Sequence, residues 1–139
     1  MSPRSARFGQ CGSDYFARVN EETVVITSVE TAEAVRNLDE ILKTPYLDGI
    51  FIGPMDLAVS MGYGSNVKSE AVQAMIAEIE AKVIASDKFL GTVATDWEKA
   101  EKCIARGYQW LILMQDGLTL ASKAARTVQR FRKEVLDRS

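Results

Sequence analysis

From Thr23 onward, short apolar runs alternate with longer amphipathic segments, and this alternation constrains the fold more than any other feature of the chain. Strands that recur with helices between them make βα units, whose repetition predicts a parallel sheet. Four units can be counted. Thr23 to Val29 (TVVITSV) is a β-branched strand, followed from about Thr31 by a helix with Val35, Leu38, Ile41 and Leu42 on one face, stopped by Pro45. Gly49 to Gly53 (GIFIG) is the continuous apolar run expected of a strand covered on both faces. A short helix from Asp56 to Met61 follows, ended by Gly62 and Gly64. A longer one runs from Ser69 to Ala85, with Val72, Met75, Ile76, Ile79 and Val83 inward and Glu70, Gln73, Glu80 and Lys82 on the polar face.

Phe89 to Ala94 is the third strand, weakened by Gly91. Asp96 is placed to cap the next helix, where Trp97, Ala100 and Ile104 form the buried stripe and Gly107 ends it. The fourth strand is Trp110 to Met114, and a final helix runs from about Leu118 to Leu136. Residues 1–22 differ in kind, reading as loop plus a short helix from Ser13 to Val19, while residues 23–139 form a single domain of four βα units. Periodicity alone leaves two architectures open, a small doubly wound sheet and half of an eight-stranded barrel.

Composition bounds the chemistry. With 139 residues and 47% apolar content the chain can bury a core, which argues against global disorder. A net charge of −2 supplies no basic excess for phosphate contacts, so no nucleic-acid partner is expected. No run of about 18 apolar residues is present to span a membrane, and the N-terminus has no apolar signal segment. Cys11 and Cys103 match no metal or disulfide spacing, which fits a cytoplasmic setting. The chain has no histidine, so it cannot by itself assemble a Ser/His/Asp triad, a Cys/His pair or a His-ligated metal centre. Carboxylates, Lys, hydroxyls or a hard cation remain.

Ligands of α/β proteins bind at the C-terminal ends of the strands. The polar residues there are Ser28 and Glu30, then Asp56 beside Gly53 and Met55, then Thr95 and Asp96, then Gln115 and Asp116. Four carboxylates at one rim repel one another unless a cation lies among them, and two carboxylates plus water suit a hard divalent ion. The plainer reading is that such acids cap or begin the following helix, which is the simplest account of Asp96 and Asp116. Cys103 reads as a small core residue, and Trp97, Trp110 and Met75 as core positions.

The string Ser28-Val29-Glu30-Thr31-Ala32-Glu33-Ala34, then Asn37-Leu38-Asp39-Glu40-Ile41, then Asp48-Gly49-Ile50-Phe51-Ile52-Gly53-Pro54-Met55-Asp56-Leu57, then Met61-Gly62-Tyr63, closely resembles the HpcH/HpaI family of metal-dependent pyruvate aldolases. Similarity continues through Tyr15-Phe16-Ala17-Arg18 and more faintly into the last helix. The resemblance implies the C-terminal half of a (β/α)8 TIM barrel of roughly 250 residues. It implies a carbon–carbon lyase acting on 2-oxo acids, in which a divalent ion (Mg2+, Mn2+ or Co2+) stabilises a pyruvate enolate and an aldehyde is the second reactant. Glu30 and Asp56 resemble the metal ligands, and Met55 and Asp56 the positions whose backbone amides receive the substrate carboxylate.

Three departures stand out. Ser28 replaces a family Gln that contacts substrate, the NPxHPEV segment becomes Asn66-Val67-Lys68-Ser69-Glu70-Ala71-Val72, and Met114 replaces a rim glycine. The family's general base, a His with an acidic partner, and an Arg for the substrate carboxylate belong to the half of the barrel that this sequence lacks, so the catalytic residues are unassigned. The resemblance also implies homo-oligomers or association with a complementary half-barrel. A reading from a different class is a non-catalytic half-barrel binding or assembly module derived from the same family.

Overall fold

The computed structural model describes residues 4–10 and 15–137. A 3-10 turn, Arg4–Gly9, precedes α1 (Tyr15–Glu22), a helix later in the chain than the expected Ser13 to Val19; Ser13 and Asp14 lie outside the described residues. The four units then follow in order: β1 (Ile26–Val29), α2 (Ala32–Arg36), α3 (Leu38–Ile41), β2 (Gly49–Ile52), α4 (Pro54–Ser60), α5 (Glu70–Ile84), β3 (Phe89–Val93), α6 (Trp97–Ala105), β4 (Trp110–Ile112) and α7 (Asp116–Phe131), which runs on into one π-helical turn. The strands form one parallel sheet in the order β1-β2-β3-β4. Each strand therefore pairs with the next in sequence, the arrangement of consecutive barrel strands and not of a doubly wound sheet, whose order reverses.

The register places Ser28, Phe51, Gly91 and Trp110 in one row. Because successive side chains alternate between faces, the sheet has two unlike surfaces. Val29, Ile50, Ile52, Leu90 and Thr92 point one way and are buried under the helices, with Val35, Leu38, Leu57, Val72, Ile79 and Val83 in the same core. Ser28, Phe51, Phe89 and Trp110 point the other way, away from the helix-side core among the described residues; Ser28 is exposed, and Phe51 and Phe89 are half-buried. Phe51 and Trp110 meet edge to face at 5.5 Å between centroids. The GIFIG run is thus not covered on both faces among the described residues, since only Ile50 and Ile52 carry the helix side.

Gly91, which weakened the third strand as a sequence, has a packing reason. A Cβ there would lie 2.4 Å from the Trp110 ring, so the glycine lets the indole lie across the sheet.

Several other expectations are corrected by tertiary contacts. The helix after Thr31 is interrupted at Asn37, whose carbonyl accepts from Glu40 and Ile41 to start α3; Leu38 still reaches the core. In α6 the buried positions are Ala100 and Cys103, while Trp97 is 79% and Ile104 58% exposed. Trp110 is 38% exposed because it stands on the open face. Glu80, expected in water, is 7% exposed: it accepts 2.6 Å from the Tyr108 hydroxyl and pairs with the Arg106 guanidinium. Cys103 is a buried core residue, as its surroundings in the sequence suggested, and burial pushes its thiol pKa up.

Candidate functional site

The C-terminal ends of β1 and β2 bring Glu30 and Asp56 together, by different local routes. Glu30 follows β1 directly, but the cap of α2 is the next residue: Thr31 is extended and its hydroxyl accepts 3.0 Å from the Ala34 amide. Glu30 is therefore released from the capping role that the sequence allowed it. After β2, Gly53 is the N-cap of α4 without a side-chain cap and Pro54 opens the helix, a position where its missing N–H costs nothing. The first bond along α4 runs from the Leu57 amide to the Gly53 carbonyl at 3.0 Å, leaving the amides of Met55 and Asp56 ahead of the helical ladder.

Both carboxylates converge on Gly53. A Cβ built on this buried glycine would stand 2.7 Å from Glu30 Oε2 and 3.5 Å from Asp56 Oδ2, so two oxygens from successive βα units flank one small space that any side chain would fill. Neither carboxylate makes a hydrogen bond or an ion pair among the described residues. Two further bonds hold the frame. The Ser60 hydroxyl, one turn beyond Asp56 on α4, accepts 3.1 Å from the Ala32 amide at the start of α2, tying together the two helices that follow the acidic residues. On the helix side the Thr92 hydroxyl donates 3.0 Å to the Ile52 carbonyl, fixing the end of β2 next to Gly53.

The other rim acids are engaged locally. Asp96 caps α6, accepting 2.8 Å from Lys99, and Asp116 accepts 2.6 Å from the amide of its neighbour Gly117. The structure thus divides the four carboxylates into two engaged with amides of their own chain segment and two that both approach Gly53. No group of three or more His, Cys, Asp or Glu side chains capable of holding a metal is found among the described residues. The donor set is instead two hard carboxylate oxygens beside a void and two amides ahead of a helix, which fits a divalent ion that keeps water or substrate oxygens in its remaining positions.

Ser28 lies two residues before Glu30 and so on the same, open face, exposed; Met55 is half exposed at the start of α4. Met114 is exposed at the end of β4. Sequence reasoning passed over Ser60 and Thr92. Ser60 had a faint signal, standing four residues after Asp56 and so above it on one helix face; Thr92 had none, because its partner is 40 residues away.

Comparisons with known proteins give the family and the fold. Residues 4–125 match the family described as HpcH/HpaI aldolase/citrate lyase. The chain is 34% identical over 131 residues to a 2-keto-3-deoxy-L-rhamnonate aldolase of Klebsiella pneumoniae, covering 94% of this chain and 49% of that enzyme. To the enzyme of the same name from Salmonella paratyphi B it is 37% identical over 113 residues, covering 81% and 42%. Among solved structures, an HpcH/HpaI aldolase/citrate lyase family protein of Burkholderia cenocepacia superposes with a TM-score of 0.79 at 29% identity, covering 93% of this chain and 50% of that one. The chain spans about half the length of the curated relatives it matches.

Proposed function

Because this chain belongs to the HpcH/HpaI aldolase/citrate lyase family, we propose that it carries the metal and 2-oxo-acid half of an aldolase site, acting on 2-keto-3-deoxy acids of the kind named for its relatives. The observation that carries this reading is the approach of Glu30 Oε2 and Asp56 Oδ2 to one point beside Gly53. Glu30 and Asp56 hold a divalent cation, Mg2+, Mn2+ or Co2+. Bound there, such an ion supplies Lewis-acid stabilisation of the negative charge that develops on the keto oxygen when the carbon–carbon bond breaks or forms. The amides of Met55 and Asp56 receive the substrate carboxylate, and the Ser28 hydroxyl reaches it through water from the neighbouring strand.

Proton transfer to and from the leaving alkoxide is not assigned to this chain. It has no histidine, and a base is supplied from a complementary half-barrel. The open sheet face and the outer edges of β1 and β4, which pair with no strand among the described residues, support that partner or a second copy of this chain. Helix α7, with no buried residue and with Leu118, Leu120, Val128 and Phe131 exposed, supports oligomerisation as well.

Calorimetric titration of the chain with Mg2+ or Mn2+, with and without pyruvate, tests the site. Binding should be saturable and fall at least tenfold in Glu30→Gln and Asp56→Asn. Gly53→Ala should act in the same direction: its φ of −97° suits alanine, but the added methyl lies 2.7 Å from Glu30 Oε2. Equal weak binding in all four proteins would refute the site and favour the non-catalytic module.

A further inference from the structure

Up to Gly53 the sheet sets the frame of the two carboxylates. The pairing of Val29 with Ile52 puts Glu30 and Gly53 at matching places just beyond β1 and β2. Past Gly53 the sheet has no hold, because that residue has no side chain and makes no cap bond, so the path of α4 is set by what α4 itself touches. Leu57 and Ala58 are fully buried and fix its depth over the core. Apolar contact of this kind is non-directional, and it holds the roll of a seven-residue helix about its own axis only loosely. Asp56, exposed in the first turn, swings with that roll. Ser60 stands about 6 Å further along the same face, and its hydroxyl accepts 3.1 Å from the Ala32 amide. Ala32 follows Glu30 by two residues, and Thr31 between them is held as the cap of α2. One directional bond therefore closes a ring that runs from Glu30 through Ala32 and Ser60 to Asp56.

We propose that Ser60 is a positioning residue for the cation site: its bond to Ala32 fixes the roll of α4, and with it the separation of the Glu30 and Asp56 carboxylates, so that this bond and a bound cation reinforce each other. The inference rests on the reading that Glu30 and Asp56 hold a divalent ion. The bond is poorly placed to stabilise the fold. Ser60 is exposed, so water can replace its oxygen at the Ala32 amide, and a bond that water can replace adds little to folding. Its effect is geometric, since a binding constellation loses function when its groups stray by more than about 0.5 Å. Coupling of this kind is reciprocal: a cation that binds more tightly when the bond is formed makes the bond form more completely.

Calorimetric titration of the full chain with Mn2+ alone tests the role. Ser60→Ala should bind about 10-fold more weakly than the native chain, the lower end of what groups that orient metal ligands are typically worth. Ser60→Thr keeps the hydroxyl and should restore native affinity. Ser69→Ala removes a like bond at the cap of α5, away from the site, and should lower the unfolding midpoint while leaving Mn2+ affinity unchanged. The second readout is hydrogen exchange of the Ala32 amide, which Mg2+ should slow in the native chain and not in Ser60→Ala. Native affinity in Ser60→Ala, or a loss that Ser60→Thr does not restore, overturns the positioning role and leaves the cation site standing. An equal loss of affinity in Ser69→Ala also overturns it, because the effect is then a general loosening of the fold. Exchange at Ala32 that Mg2+ does not slow in the native chain overturns the coupling. Absence of saturable Mn2+ binding by the native chain overturns the site and the positioning role together.

Discussion

The two faces of the sheet are built from the same few residues and have opposite fates. In β2, Ile50 and Ile52 are fully buried on the side where α5 packs, while Phe51 between them faces the other side and is half-buried. One face is finished by the chain's own helices, which are connected to it within each βα unit. The other is the face that, in a complete eight-stranded barrel, is packed by side chains from all eight strands. Local sequence completes a βα layer; closure of the lumen is a property of the whole ring.

Substitutions on the two faces should therefore differ, and the largest effect is expected on the covered one. Ile52→Ala removes a side chain with no exposed surface and should cost about 2–5 kcal/mol in denaturant unfolding. Phe51→Ala, one residue away, should cost about 1 kcal/mol or less in the isolated chain. Equal losses would break the comparison, showing that the open face is covered in solution, and sedimentation of the native chain against Phe51→Ala would then identify a self-associated species.

An intermediate effect belongs to the polar cluster under the helices. Tyr108→Phe leaves the buried Glu80 carboxylate without its 2.6 Å donor and should cost about 1–3 kcal/mol. Burial and the bond to Glu80 push the Tyr108 phenol well above its ordinary range. A raised value means that the fold favours the neutral phenol. The stability it contributes is complete below about pH 10, where the unfolded chain's tyrosine titrates, and is lost as the pH rises beyond that. Unfolding midpoints of the native chain should fall above pH 10 more steeply than those of Tyr108→Phe; parallel curves would contradict the assignment. The smallest effect is expected for Ser28→Ala, exposed on the open face, with a change within about 0.5 kcal/mol and a measurable loss only in pyruvate affinity.

Much of this architecture was legible beforehand because it depends on short-range rules. The Asp96 cap of α6 follows from a polar oxygen placed three residues before a free amide, and the run of α5 to Ile84 from its apolar period; Ser69, read as the first residue of that helix, is instead its cap, accepting from Val72. Burial of side chains within a helix was less legible. Glu80 looked like a solvent-facing residue because its partners, Arg106 and Tyr108, arrive from 26 and 28 residues away. Trp97 and Ile104 looked like core because the helical period cannot tell where the apolar stripe is centred; Ala100 and Cys103 take the sheet side, where close packing favours small residues.

The site divides in the same way. The motif around Gly53 and the acidic residues after β1 and β2 singled out Glu30 and Asp56 from sequence, with the resemblance to known aldolases deciding between them and the other rim acids. Only the folded chain showed why those two differ: Thr31 takes over the cap, and Gly53 leaves room for both carboxylates. What the sequence by itself determined was the succession of strands and helices, because each is set by neighbours within a few residues. Which face of the sheet stays open, and which acids meet across it, depended on the parallel register of strands some twenty residues apart, a long-range pairing that no local pattern encodes.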